Sequence, residues 1–368
     1  MLKVNAQFPL CFHCTAGLLL MVVLSPAQAQ IKVTDYGAKG DGKSDDTAAI
    51  QKAFDSVWGT SERFPDTAYY TELSPVVFPT GKYRISNAIR ITNTTIRGEG
   101  AIIEQTDPEK DIFECSNAWR ISISGFTFLS GRRHLNLSNP NLDSGALTIQ
   151  DCRFYGSADA AMRIDVQSTN ANVRDCIWLK CMQAAALFRS DQVSIRDCWI
   201  TSHADMKDKA VIEHKAGRLS IDNLCGVPLV NGTDQRWIDN HGQWLSAVRC
   251  RFGGEYGGFT PVVNFAKPNH GTRVQDEAVG TMVLIEDSLI CSVGNKKRSC
   301  AVYCEEVPNS IVIRNCATYT PEILVRPTID PATYFEGVPK TMLQFVVENN
   351  SNEAKTELPD LLKQAIAR

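Results

Sequence analysis

"VSIRDCWI", residues 193–200, places apolar side chains at alternate positions, breaks on an aspartate, and resumes the alternation from a cysteine. Period-two alternation is the pattern of a strand with one buried face, so Val193 and Ile195 are expected inward and Ser194 and Arg196 outward. Asp197 interrupts the phase at a bend, because aspartate and asparagine tolerate left-handed backbone angles that most residues avoid. Cys198 and Ile200 then return to the interior. The same figure recurs in LTIQDCRF (147–154), ANVRDCIW (171–178), LSAVRCRF (245–252), VLIEDSLI (283–290) and IVIRNCAT (311–318). ISISGFTF (121–128) and LSIDNLCG (219–226) are looser copies.

A unit of roughly 22–28 residues built from short strands cannot bury its apolar face alone, and stacking supplies the continuous core. The Leu-x-x-Leu-x-Leu frame of a leucine-rich repeat is absent. The expected fold is therefore all-β: a single-stranded right-handed parallel β-helix, a solenoid in which like residues stack about 4.8 Å apart.

The chain has 13 cysteines. Cys152, Cys176, Cys198, Cys250 and Cys316 share one repeat position, which predicts a buried ladder of small apolar side chains. Parallel side-chain directions make a disulfide between coils awkward, and Cys176/Cys181 and Cys300/Cys304 are alternative local pairs. No zinc-type spacing is present.

The ends differ from the middle. Residues 1–29 combine a lone Lys3, an apolar run Ala16–Leu24 and Ala27-Gln28-Ala29, the layout of a secretory signal peptide. The mature chain is expected to start near Gln30, in a secreted or periplasmic setting. The formal net charge of −3 gives no electrostatic reason to expect nucleic acid or an anionic membrane as a partner. In VTDYGAKGDGKSDDTAAI (33–50), the glycines and aspartates read as a turn. Asp45 or Asp46 is then the N-cap of a helix whose Ile50, Phe54 and Val57 cover the open end of the stack. The β-helix is expected over 30–350, with MLQFVVEN as one more strand, and residues 351–368 as a tail with a short helix.

DYGAKGDGKSDDTAAIQKAF, followed by VVFPTGKYRI and IRGEGAII, resembles the N-terminal signature of the pectate-lyase-like superfamily, in the branch of rhamnogalacturonase- and epimerase-like β-helix proteins. The signature spans residues 31–105, and the coils extend the resemblance to about residue 320. It implies the fold and a polysaccharide partner; the reaction is open, because the scaffold carries lyases, hydrolases, epimerases and non-catalytic binders. In that family the acidic opening is an end-cap rather than a metal site. The catalytic patterns of polygalacturonases and typical pectate lyases are not found. DKAVIEHKAGRLSIDN (208–223) with NHGQWLSAVRCRF (240–252) is similar to the chondroitinase B and alginate lyase branch. That likeness implies Lys215 and His241 as base and acid around calcium as cofactor. Asp208 stands for one metal carboxylate, Ala210 replaces the second, and Asn240 stands where the branch has arginine.

Register gives an independent route to a site. Counting back from the repeat cysteines, the outward residues of the preceding strand form a stripe: Arg163 and Asp165, Glu213 and Lys215, Asp239 and His241, Tyr303 and Glu305. Arg189 and Asn264 fall nearby, and His134 and Asn136 sit one coil earlier. Two insertions, 131–144 and 266–280, are expected to overhang this face, the second carrying Arg273. β-Elimination from a uronic acid needs a cation on the C5 carboxylate and a base for the C5 proton. Arg218, Arg249 or Arg273 fit the first need; Lys215, His214 or His241 fit the second. Hydrolysis needs two carboxyls, for which Asp165, Glu213 and Asp239 are the candidates. The expected activity is β-elimination on an acidic polysaccharide, with a glycoside hydrolase or a non-catalytic carbohydrate-binding scaffold as alternatives.

Overall fold

The computed structural model describes residues 30–57, 74–139, 145–167, 169–202, 209–227, 235–253, 262–265, 281–291, 300–305, 308–319, 325–327 and 344–351. Every strand pairing among the described residues is parallel, and the strands form a 19-stranded sheet and a 10-stranded sheet. The larger sheet makes two walls of a right-handed β-helix, joined at the bend within each coil. The smaller sheet is the third wall. The leader at 1–29 and the tail helix lie outside the described residues, whereas the extra strand is present at Gln344–Glu348. Among the described residues no helix is long and apolar enough to cross a membrane.

The repeat is built as its alternation demands. Val193, Ile195, Cys198 and Ile200 are buried, and Asp197 sits at the bend with φ 55°. The same left-handed conformation recurs at Asp151, Asp175, Asn223, Arg249, Asp287, Asn315 and Asn349. Asp and Asn dominate because their short polar side chains lower the cost of that backbone; Asn223 Nδ2 also donates to Asp197 Oδ1 at 2.7 Å.

The cysteine after the bend is buried, as the ladder reading requires, and it has a polar task. Cys198 Sγ donates to the Arg196 carbonyl at 3.0 Å, and Cys152, Cys176, Cys250 and Cys316 repeat this bond to the carbonyl two residues back at 3.1–3.2 Å. Ser288 makes the same bond with its hydroxyl, at 2.7 Å. All eleven cysteines among the described residues are free thiols, so the alternative local pairs are not formed. Contacts with the sulfurs of Cys152 and Cys198, together with burial, push the Cys176 thiol far up.

Inside the second wall, Phe128, Phe154 and Trp178 stack coil on coil with ring centroids 5.3–5.4 Å apart. His134 joins this stack rather than the outward stripe. It is fully buried, its ring lying 6.0 Å from Phe128 and 5.8 Å from Phe154. The expectation for His134 fails because residues 131–134 are the turn into a third-wall strand, Leu135–Asn139, and not an overhanging loop. Farther along, Gly226 occupies the ladder position of Ile200 and Phe252, and Trp237 fills the space it leaves. A methyl at Gly226 would lie 2.4 Å from the indole.

The acidic opening is punctuation. The Asp41 carboxylate accepts from the Lys43 and Ser44 amides, Asp45 from Thr47, and the buried Asp46 from the Lys39 and Gly40 amides. Those Ser44 and Lys43 amides hold the Asp41 carboxyl down at about 2. Asp46 holds the N-cap position of helix Thr47–Asp55, while Asp45 makes the bond to the first helical amide. Part of the expected turn, Asp41–Asp45, is a short strand paired with Lys82–Ile85. Ile50 and Phe54 are buried and Val57 packs against the core, so the helix seals the first coil.

Candidate functional site

The outward residues of the third wall form two rows. Register partners run Arg90, Glu114, Asn136, Arg163, Ala186, Glu213, Asp239, Asn264, Tyr303. Two residues farther along the strands, a second row follows Ser138 and Asp165 to Lys215 and His241, just past the strand ends. Arg163, Asp165, Glu213, Lys215, Asp239, His241, Asn264 and Tyr303, expected on one outward stripe, share this wall, whereas His134 does not.

The rows divide into two polar groups around an apolar floor. On the N-terminal side, Arg132 clamps the buried Asp111 with Nε and Nη2 at 2.8 and 2.9 Å. Asn136 Nδ2 donates to Asp111 at 2.8 Å, and its Oδ1 accepts from Arg163 at 3.3 Å. Arg163 and Arg189 both donate to Asp165, at 2.7 and 2.6 Å. Burial raises the Asp165 pKa, but the Arg189 and Arg163 guanidinium groups outweigh it and hold the carboxyl below its ordinary range. Asp165 is thus an anion, suited to fixing arginines rather than donating a proton.

The floor is the strand Gln183–Leu187, all buried, followed by Phe188, over which Arg163 lies at 4.9 Å from the ring centroid. On the other side, Glu213 pairs with Lys215 at 2.5 Å, and Asp239 with Arg236 at 3.3 Å. Asn264 Nδ2 donates to Asp239 at 2.6 Å. Lys215 and His241 occupy equivalent places on consecutive coils: the Lys215 amide donates to Leu187 O and the His241 amide to His214 O, both at 2.7 Å. Both side chains are half-buried, and Glu305 is exposed with its amide on Phe265 O.

Several expectations change. His214 is fully buried and faces the core, its Nδ1 2.6 Å from Asn240 Oδ1. Burial pushes its pKa down to about 4, so it is neutral and has no access to a substrate. Arg218 starts a first-wall strand beyond the Gly217 turn, with its guanidinium 5.3 Å above the Trp244 ring. Gly217 must be glycine there: its φ is 82°, and a Cβ would meet Ser190 O at 2.0 Å. Arg249 is a bend residue paired with Asp222. Arg273 and Asp208 lie outside the described residues.

Sequence reading missed Asp111 and Arg236 as members of this face; Arg132, expected over it on the 131–144 insertion, instead clamps Asp111 from the turn before Leu135. They precede the third-wall strands, where no alternation marks them; the signal was a charged residue two or three positions before each apolar strand start. The calcium implied by the lyase likeness does not find a cage among the described residues. Ala210 is buried without a donor, and no group of three or more His, Cys, Asp or Glu side chains converges.

Two family models match overlapping segments: rhamnogalacturonase A/epimerase, pectate lyase-like, over residues 30–111, and the right-handed β-helix region over residues 83–234. The chain belongs to the pectate-lyase-like superfamily of right-handed β-helix proteins. A pre-neck appendage protein of Bacillus phage B103 is 36% identical over 86 residues, which are 23% of this chain and 8% of that protein. Among solved structures, the catalytic unit of a GH87 α-1,3-glucanase from Streptomyces thermodiastaticus strain HF3-3 aligns with TM-score 0.53 and 14% identity, covering 90% of this chain and 70% of that one. The A-module of the mannuronan C-5 epimerase AlgE6 from Azotobacter vinelandii aligns with TM-score 0.40 and 14% identity, covering 87% and 98%.

Proposed function

We propose that this protein acts on a uronic-acid-containing polysaccharide by β-elimination, at the third wall around Lys215 and His241. The observation that carries this reading is their register. A cation and an imidazole stand on consecutive coils, about 4.8 Å apart along the stack, at the rim of a polar face. A uronate lying along the wall would exchange its C5 carboxylate for Glu213 as the partner of the Lys215 ammonium. The His241 imidazole removes the C5 proton. The C4–O4 bond then breaks, its electrons leave with O4, and O4 takes a proton from the imidazolium or solvent. The products are a C4=C5 unsaturated uronide and a new chain end, with no water consumed. Arg163 and Arg189, held by Asp165, present cationic edges to neighbouring uronates, and Asp239, Asn264 and Tyr303 continue the face. No step runs through a metal. The leader read at residues 1–29 supports action outside the cytoplasm.

A second reading rests on Glu213 and Asp239, which are direct register partners. Their backbone spacing approaches the roughly 5–5.5 Å separation of carboxyls in retaining glycosidases. Against it, Glu213 already holds Lys215, and Asp239 is engaged by Arg236 and Asn264.

Incubation with a panel of polyuronates, followed near roughly 235 nm, tests the elimination. An absorbance rise supports it. Reducing-sugar release without that rise transfers the site to the hydrolase reading, and binding without either product makes the wall a non-catalytic glycan-binding face.

A further inference from the structure

The third wall has a concavity well away from Lys215. At its N-terminal end the outward strand residues meet the cap helix and enclose an open cleft of about 800 Å³. Arg90 and Glu114 line it from the wall, Ser116 and Asn117 from the turn that follows, and Gln51 and Asp55 from the helix.

The cleft is held open by bonds that do not consume its chemistry. Gln51 Oε1 accepts from the Arg90 amide at 2.9 Å, and its Nε2 donates to the Arg90 carbonyl at 3.1 Å and to Asp55 at 3.0 Å. One side chain thus staples the helix to the edge of the wall. Arg90 and Glu114 behave differently from the rest of their row. They are register partners of opposite charge, yet neither side-chain head group makes a hydrogen bond or ion pair with a described residue. Farther along the same row, Arg163, Glu213 and Asp239 are all paired.

An unpaired guanidinium and an unpaired carboxylate side by side, with a serine hydroxyl and an amide within the same hollow, form a donor and acceptor set for vicinal hydroxyl groups. Two carboxylates, Glu114 and Asp55, stand against one cation, Arg90, and this balance disfavours a uronate. We infer that the cleft between helix Thr47–Asp55 and the third wall is a binding site for uncharged hexose units of a glycan. It lies four coils, or about 19 Å at the spacing of stacked strands, from Glu213 and Lys215. Asn136, bonded to Asp111 and Arg163, joins the two ends. The inference rests on the third wall being the glycan face. It adds that the glycan, or a neighbouring part of it, carries neutral sugars at this end.

The test is calorimetric titration of the mature chain with maltotriose, cellotriose, laminaritriose and trigalacturonate, in the wild type and in Arg90→Ala, Glu114→Ala and Lys215→Ala. At least one neutral trisaccharide is expected to bind the wild type, with affinity reduced roughly ten-fold in Arg90→Ala and Glu114→Ala and unchanged in Lys215→Ala. Trigalacturonate should show the opposite dependence. A matching thermal midpoint for each variant excludes misfolding as the cause of a loss. The inference is overturned if no neutral trisaccharide binds, if binding ignores Arg90 and Glu114, or if trigalacturonate displaces the neutral sugar from the cleft. Trigalacturonate binding that depends on Lys215, with no neutral binding, would overturn the cleft and leave the elimination site standing. Neutral binding that depends on Glu114, with no uronate bound or cleaved, would do the reverse.

Discussion

Two columns run the length of this stack, each contributing one residue per coil, and they differ in chemistry. The bend column reads Asp151, Asp175, Asp197, Asn223, Arg249, Asp287, Asn315, Asn349. The outer column of the third wall reads Arg90, Glu114, Asn136, Arg163, Ala186, Glu213, Asp239, Asn264, Tyr303. The first is nearly uniform because backbone geometry selects its members: few residues accept a left-handed bend. The second sits on extended backbone that any side chain can occupy. Its mixture of charges, amides and an aromatic ring is not required by the fold, and it is where ligand chemistry has room to be written.

If the outer column is functional and the bend structural, mutations should separate into two kinds. The largest effect is expected for Lys215→Ala and His241→Ala. Each should lower turnover of a cleaved polyuronate by roughly 10²–10⁴-fold. Stability should stay within about 0.5 kcal/mol of wild type, because neither side chain is buried in the core. Full turnover in both variants would remove the site from this part of the wall.

The column beside the bend should respond in the opposite sense. Cys176→Ala is expected to cost about 1–3 kcal/mol in denaturant unfolding, from a buried void and the loss of the Sγ bond to Arg174 O, which keeps its bond from the Asp151 amide, with glycan affinity unchanged. Cys176→Ser should cost less, since Ser288 already serves this position in its own coil. A serine variant as damaged as the alanine variant would show that packing, and not the bond to the strand carbonyl, governs the ladder.

His134 offers a pH-dependent test of the interior. Burial pushes its pKa down to about 3, against partial compensation from the Ser130 and Tyr155 backbone. The unfolded chain, with an ordinary imidazole near 6.5, therefore binds the proton first. Stability should fall as pH drops from about 7 towards 3 and level off above that window. His134→Phe extends the aromatic stack and removes the titration. Its advantage should grow by about 2 kcal/mol between pH 8 and pH 5. Equal pH profiles for variant and wild type would place the sensitivity elsewhere, for instance at His214.

The smallest change is expected at the bend itself. Asp197→Asn should be nearly neutral, and Asp197→Ala should cost about 1 kcal/mol, the penalty of a left-handed bend without a short polar side chain. A loss of glycan binding in either would blur the contrast between the columns.

The coils were legible because alternation, bend and cysteine recur together, and VSIRDCWI alone assigns four buried positions correctly. Register then carried the outer rows, since counting from the cysteines places Arg163, Glu213, Asp239 and Tyr303 on one face. It failed where coil length is not fixed. His214 lies one residue from the outward Glu213 and Lys215, and a one-residue shift turns a side chain from surface to core, whereas His134 sits in the turn before Leu135, where the strand's alternation has not begun. Arg218 was misplaced for a related reason: the tight Gly217 turn delivers it to the next wall. The Asp111–Arg132 clamp and the Arg236–Asp239 pair depend on turns between strands, where no periodicity guides the eye.

The contact between Gly226 and Trp237 has a consequence for how such chains diverge. The indole occupies the volume that Ile200 and Phe252 fill in adjacent coils, so the two positions share one space between them. Neither can change first without loss: a side chain at 226 collides with the ring, and a small residue at 237 leaves a hollow beside a glycine. Relatives of this chain should therefore carry either glycine with tryptophan or a larger residue at 226 with a smaller one at 237. Intermediates should be rare, and the pair should be inherited as a unit.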